Sequence, residues 1–177
     1  MITLDDLKRL CPQTRTVKLA EAVGPLNDAM AEFEINNVAR ETAFLAQLAH
    51  ESMGFQLTRE LWGPTKAQEG YEGRADLGNT EPGDGHRYMG RGYIQITGRA
   101  NYTRCGEALG LDLIGHPELL EIPANAARSA GWFWQTNHLN ARADLGDFRG
   151  ITKKINGGVN GWSDRLSYYE RAQQVLA

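Results

Sequence analysis

Apolar residues recur at helical spacing over most of the chain, and the pattern breaks only in its middle. Leu4, Leu7 and Leu10 stand three apart behind Thr3-Leu4-Asp5-Asp6, a helix start, and Pro12 stops the run. Residues 15–23 predict a second short helix. Gly24-Pro25 ends it and can open a third, whose face is Leu26, Ala29, Met30 and Phe33. Asn36-Asn37 can cap a fourth helix over about 37–53. Its run from Ala43 to Ala49 is apolar nearly all round, which predicts burial at the domain centre. Residues 54–97 then change character. Glycines, Pro64, Pro82 and polar residues predict loops with short strands or a hairpin, and Tyr93-Ile94-Gln95-Ile96-Thr97 reads as a short strand. Helical spacing returns over 98–109 with Gly110 as cap, from Pro123 through Trp134, over 147–155 before Asn156-Gly157-Gly158, and over 162–176. The prediction is one α+β domain over residues 1–177, predominantly α-helical. A cleft is expected between its helical body and a partly β insertion.

Composition narrows the function. Hydrophobic residues make up 41% and charged residues 23% of the 177, an ordinary globular balance. No apolar run approaches the ~18 residues that span a bilayer, so no membrane insertion is expected. A net charge of -3 gives no electrostatic case for nucleic acid. The two cysteines, Cys11 and Cys105, read as free thiols rather than a disulfide scaffold. Met1-Ile2-Thr3-Leu4-Asp5-Asp6 has neither a basic nor an apolar leader region, so synthesis in the cytoplasm is expected, with release by another agent. Glycine stands out at 20 residues against a usual ~7%. Ten of the 20 lie within residues 54–98, which marks a segment of unusual backbone.

Two carboxylates flank the start of that segment. Glu51 sits at the C-terminal end of the apolar helix, where the helix dipole and desolvation both oppose a negative charge. That setting suits a general acid, and a solvated glutamate at a frayed helix end is the alternative. Glu60 lies nine residues on and can face Glu51 if the chain turns at Gly54; a surface ion pair with Arg59 is its alternative. Carboxylates ~6.5–9.5 Å apart are the arrangement of an inverting glycosidase. Gln95 and Thr97, two apart on the predicted strand, share a face and can bond a sugar or a water. Metal chemistry finds little support. His50-Glu51-Ser52-Met53-Gly54 lacks the second histidine of a zinc-protease motif, and His86, His116 and His138 stand apart. There is no Gly-x-Ser-x-Gly elbow, and no cofactor is expected. Trp62, Trp132, Trp134 and Trp162 can stack sugars, although Trp132 and Trp134 read more simply as core.

Taken together, these segments resemble glycoside hydrolase family 19, which includes plant-type chitinases and bacteriophage endolysins. Phe44 through Ser52 is similar to the family's general-acid helix, which implies that role for Glu51. The spacing to Glu60 resembles the endolysin branch and implies the general base there. Tyr88 through Thr97 resembles the family signature, with Thr97 holding the nucleophilic water beside Glu60, and Gln95 and Asn101 lining the sugar cleft. Ile155-Asn156-Gly157-Gly158 matches a segment that places Asn156 at the substrate, and Asp164-Arg165 matches an arginine that supports the catalytic acids. Tyr93 and Arg165 complete the candidate substrate contacts.

The resemblance implies a lysozyme-like, two-lobed fold and an inverting mechanism. Thr97 in place of the usual serine, Tyr93 in place of proline or alanine, Gly98-Arg99-Ala100 in place of an aromatic-rich stretch, and the lack of the plant enzymes' disulfides and longer loops turn the expectation away from crystalline chitin, and the compact, signal-free form points to peptidoglycan. The expected protein is thus a monomeric endolysin cutting β-1,4 bonds of bacterial peptidoglycan, with a separate holin for its release. The alternatives are a chitinase acting on chitin oligomers, a non-catalytic wall-binding module and a lytic transglycosylase.

Overall fold

A computed structural model describes all 177 residues. Ten α-helices account for nearly all regular structure: α1 Leu4–Leu10, α2 Thr16–Glu32, α3 Val38–Glu51, α4 Lys66–Glu69, α5 Asp84–Arg87, α6 Arg99–Leu109, α7 Pro123–Thr136, α8 Leu139–Asp144, α9 Phe148–Asn156 and α10 Trp162–Leu176. Local chemistry sets several of their ends. Thr3 and Asp6 form a reciprocal capping box at α1, the Asn37 side chain accepts from the Arg40 N–H at α3, and Gly110 and Gly157 close α6 and α9 in left-handed conformations.

The α3 helix runs through the centre. Every residue from Thr42 to Ala49 is buried, as its all-round apolar pattern requires. It packs along α10, while α2 packs along α7, and α1 touches both α2 and α10. Phe44 of α3 meets Trp134 of α7 edge-to-face, with ring centroids 5.2 Å apart. No helix is long and apolar enough to cross a membrane.

Two sequence expectations are corrected. Thr16–Glu32 form one helix, not two, with Pro25 inside it. Gly24 removes the side chain that would crowd the proline ring, and the buried face of Leu19, Ala22, Leu26, Ala29 and Met30 runs unbroken across the junction. Packing therefore outweighs the proline's missing N–H. The β insertion is also absent. Residues 54–98 hold only isolated bridges, Arg59 with Arg91 and Arg91 with Ile96. Tyr93–Thr97 is a tight turn, because Gly92 and Gln95 both take positive φ, +85° and +60°. Its β-rich composition reflects burial of Tyr93, Ile94 and Ile96 in the core, not pairing in a sheet. Gln95 and Thr97 therefore do not share a strand face.

Polar anchors hold this strand-free lobe. Asp84, whose side chain is 2% exposed, grips the Arg99 guanidinium with both oxygens at 2.6 and 2.7 Å and accepts from the Glu81 N–H. Buried Asn79 joins the Arg99 N–H to the Tyr71 carbonyl. The Arg99 contact holds the Asp84 carboxyl below its ordinary 3.8. That stabilisation is complete above 3.8 and is lost as pH falls through the lower folded-state value. Asp84→Asn should cost about 1–3 kcal/mol at neutral pH. Thermal melts across pH should show a constant gap between wild type and variant down to about 3.8, closing below it; a gap that widens in acid contradicts this role.

Candidate active site

Glu51 is the last residue of α3 and rests on a buried cation. Arg165 of α10, 1% exposed, donates to Glu51 Oε1 at 2.6 Å, to Gln47 Oε1 at 2.5 Å and to the Asn160 carbonyl at 3.0 Å. Gln47 stands one turn before Glu51, on the same face. Its amide donates in turn to the Thr152 hydroxyl at 2.7 Å, which donates to the Phe148 carbonyl at 3.0 Å. Thus α3, α9 and α10 meet in one chain of polar contacts. Glu51 Oε2 is outside the chain, and the side chain keeps 20% of its exposure. Beside it, His50 Nδ1 and Asp164 Oδ2 lie 2.6 Å apart and tie the same two helices from outside.

The chain leaves α3 through an unusual turn. Met53, Gly54 and Phe55 all have positive φ, between +52° and +71°. The turn holds because its polar groups are met: Ser52 Oγ donates to the Leu48 carbonyl and accepts from the Phe55 N–H, and Thr14 donates to the Gly54 carbonyl. It redirects the chain towards Glu60.

Glu60 is set by separate partners. Residues 58–60 run antiparallel to 90–92, with Glu60 N–H on the Gly90 carbonyl at 2.9 Å and Gly92 N–H on the Thr58 carbonyl at 2.8 Å. The Gly90 N–H donates to Glu60 Oε1 at 2.6 Å. Buried Gln68 donates to Oε2 at 3.0 Å, and the Tyr71 hydroxyl lies 3.5 Å from it. Gln68 also donates to the Leu61 carbonyl and accepts from the Gly63 and Thr65 N–H groups, so all four of its hydrogen-bonding positions are filled. Burial, followed by the charge of Glu60 and the hydrogen bond to it, raises the Tyr71 phenol and keeps it a donor. Gly90 has no room for a side chain, since a Cβ would lie 2.7 Å from Gln95 Oε1 and 3.2 Å from Glu60 Oε1. The Gln95 amide and the Glu60 carboxylate therefore flank one point.

From Gln95 the site opens into a cavity of about 300 Å³ lined by Gln95, Thr97, Asn101, Arg104, Trp132 and Phe133 among others. Thr97 Oγ1 donates to the Gln95 carbonyl at 3.0 Å, and the Asn101 amide donates to the Thr97 carbonyl at 2.8 Å. Ile155 also lines the cavity. The adjacent Asn156 accepts from the Asn160 N–H at 3.2 Å.

The structure thus gathers Gln95, Thr97 and Asn101 at one cavity, with Glu60 beside Gln95 and with Glu51 on its own anchor. Two candidate substrate contacts lie elsewhere. Tyr93 is 2% exposed and packs edge-to-face on Phe55, because the turn points it into the core. Arg165 lies beneath Glu51 rather than at the cleft surface. Trp134 is core, whereas half-buried Trp132 faces the cavity. Sequence reasoning missed Gln47, Gln68, Tyr71, Arg104 and Thr152. Gln47 was visible as the one polar residue in an apolar run, and Thr65-x-x-Gln68 as a capping box. Nothing singled out Thr152. No three His, Cys, Asp or Glu side chains come together in a way that could hold a metal ion.

Comparison with known proteins gives the family and the fold. The sequence profile of glycoside hydrolase family 19, described as chitinase class I, matches residues 27–145. A glycosyl hydrolase family 19 domain-containing protein from Haemophilus influenzae is 31% identical, with 75% of this chain aligned to 78% of that one. The chain belongs to glycoside hydrolase family 19. Endochitinase 1 of Theobroma cacao, a plant relative, is 32% identical over 76% of this chain, but this chain spans only 52% of its length. Among solved structures, chitinase C from Streptomyces griseus superposes with a TM-score of 0.77 at 24% identity, covering 99% of this chain and 76% of that one. A second bacterial family 19 chitinase gives 0.77 at 23% identity, covering 99% of this chain and 95% of that one. The nearly all-helical, lysozyme-like family 19 fold is therefore shared.

Within this family 19 domain the polar chain behind Glu51 makes a testable demand. Thr152→Val keeps the shape but leaves a buried Gln47 N–H without its acceptor, and should cost about 1–3 kcal/mol in urea unfolding. Thr152→Ser should recover most of that loss. Equal stability of wild type and Thr152→Val contradicts the contact.

Proposed function

We propose that the chain hydrolyses β-1,4 bonds between N-acetylated amino sugars, with inversion at the anomeric carbon. One observation carries this reading: two partly exposed carboxylates from separate segments are fixed by unconnected hydrogen-bond networks with different open positions. Glu51 has one oxygen bound to Arg165 and the other free to carry a proton to the leaving sugar oxygen. The Arg165 charge then stabilises the carboxylate left behind. Every partner of Glu60 is a donor, the setting of an acceptor that draws a proton from water. Gln95 stands beside it, and Thr97, bonded to the Gln95 carbonyl, is assigned the holding of that water. The water attacks the anomeric carbon from the face opposite the leaving oxygen, through an oxocarbenium-like transition state. Asn101, Trp132 and Phe133 offer amide and aromatic contacts to the ring, and Asn156 lies next to the cavity wall.

Chitin is the polymer named by the similar proteins, as chitinases or endochitinases. Peptidoglycan offers the same linkage with a lactyl ether on every second sugar, and an endolysin reading uses the same two carboxylates. General acid and general base steps each contribute typically ~10²–10⁴ in rate. Glu51→Gln and Glu60→Gln should each lower turnover by at least about a hundredfold, measured as reducing-end release from chitohexaose and from purified sacculi. The amide oxygen introduced by Glu51→Gln can still accept from Arg165 but leaves that buried cation without its counter-charge, so the variant should lose up to about 3–5 kcal/mol of stability. Thr97→Val should reduce the rate less than either. Wild-type release by Glu51→Gln, with folding verified by circular dichroism, would overturn the assignment.

A further inference from the structure

We propose that Arg104 makes this cleft select acidic glycan over neutral glycan. The inference rests on the glycosidase reading above and names the substrate class of the same cavity. Arg104 stands on α6, one turn beyond Asn101, and both line the cavity. Its Nη2 donates to Asn101 Oδ1 at 2.6 Å, and the Asn101 amide is itself fixed to the Thr97 carbonyl. The guanidinium is thus aimed by the same strap that carries Thr97.

Three features point to an anionic ligand. Arg104 has no carboxylate partner, unlike Arg40, Arg91, Arg99, Arg128 and Arg165. No aspartate or glutamate is among the cavity's lining residues, where Arg104 is the one charged side chain; the Glu60 carboxylate stands outside it, beyond Gln95. Arg104 is also solvent-exposed, so the charge is available to a ligand. A neutral N-acetylated sugar needs hydroxyl, amide and aromatic partners, and Gln95, Thr97, Asn101 and Trp132 already supply them. A guanidinium remains charged at all working pH values and offers a planar fork that matches a carboxylate. In a concave site an uncompensated charge also raises the local concentration of the opposite charge. The fitting ligand is a glycan bearing carboxylates, either those of a peptide amide-linked to the lactyl ether or the lactyl carboxylate itself where no peptide is attached.

The test compares native sacculi with sacculi whose carboxylates have been amidated, using the full chain. Wild type should prefer native sacculi by about tenfold or more in kcat/KM, as expected for a charge-assisted contact. The preference should shrink as salt is added. R104Q should bring the ratio near one, and R104K should retain part of it. Glycan strands stripped of peptide by an amidase assign the source, because the only carboxylate left on them is the lactyl one that the amidase frees. Faster cleavage of these strands than of the same strands amidated shows that the lactyl carboxylate is read, and equal cleavage assigns the preference for native sacculi to the peptide carboxylates. The proposal is overturned if wild type shows no preference, if R104Q keeps it, or if wild type cleaves chitohexaose and not sacculi. Cleavage of none of these substrates overturns the glycosidase reading, and this proposal with it.

Discussion

A single buried cation organises the half of the site that holds Glu51. Taking a guanidinium out of water is costly unless its donors are met and its charge is paired. Arg165 is nearly inaccessible, and the fold surrounds it with the Glu51 carboxylate, the Gln47 amide oxygen and the Asn160 carbonyl. These acceptors come from α3 and from the loop before α10, so the packing of those helices and the position of Glu51 are one constraint. The same requirement reaches α9, because Gln47 needs Thr152 once its oxygen is taken by Arg165. A carboxylate at the C-terminal end of a helix is unfavourable in isolation. Here it accepts from the buried arginine and, when ionised, provides the counter-charge that makes that cation tolerable.

Glu60 is held by a different kind of constraint. It makes no ion pair. Its orientation comes from backbone pairing with residues 90–92, from a fully bonded glutamine and from a glycine that leaves no space for a Cβ. One carboxylate is therefore tied to the helical body and the other to the strand-free lobe. Since Asp84, Asn79 and Arg99 fix that lobe to the start of α6, they also set where Glu60, Gln95 and Thr97 stand relative to one another. The excess of glycine in this lobe reflects close backbone approaches and left-handed turns, not looseness alone.

Much of this was legible in the chain. The centrality of α3 follows from an apolar run with no polar face. The positions of α1, α6, α7, α9 and α10 follow from periodicity and from caps such as Asn37 and Gly110. Glu51, Glu60 and Thr97 stood out by position, a resemblance implied their roles, and the fold supplied their surroundings. The failures have physical causes. Pro25 read as a break because local propensity cannot register a buried face continuing through it. Tyr93–Thr97 read as a strand because β-branched and aromatic residues serve a buried turn as well as a sheet, and only the positive φ of Gln95 separates the two. Thr152 and Gln68 were silent because their roles depend on partners distant in sequence or hidden within an ordinary cap.

The central claim is that two separately held carboxylates direct a water to the face of the sugar opposite the leaving oxygen. The anomeric configuration of the first-formed reducing end reports this directly. Proton NMR of a β-1,4-linked N-acetylglucosamine oligomer during digestion, recorded before mutarotation, should show the α-anomer accumulating first. First appearance of the β-anomer would mean a covalent, retaining route and would contradict the account.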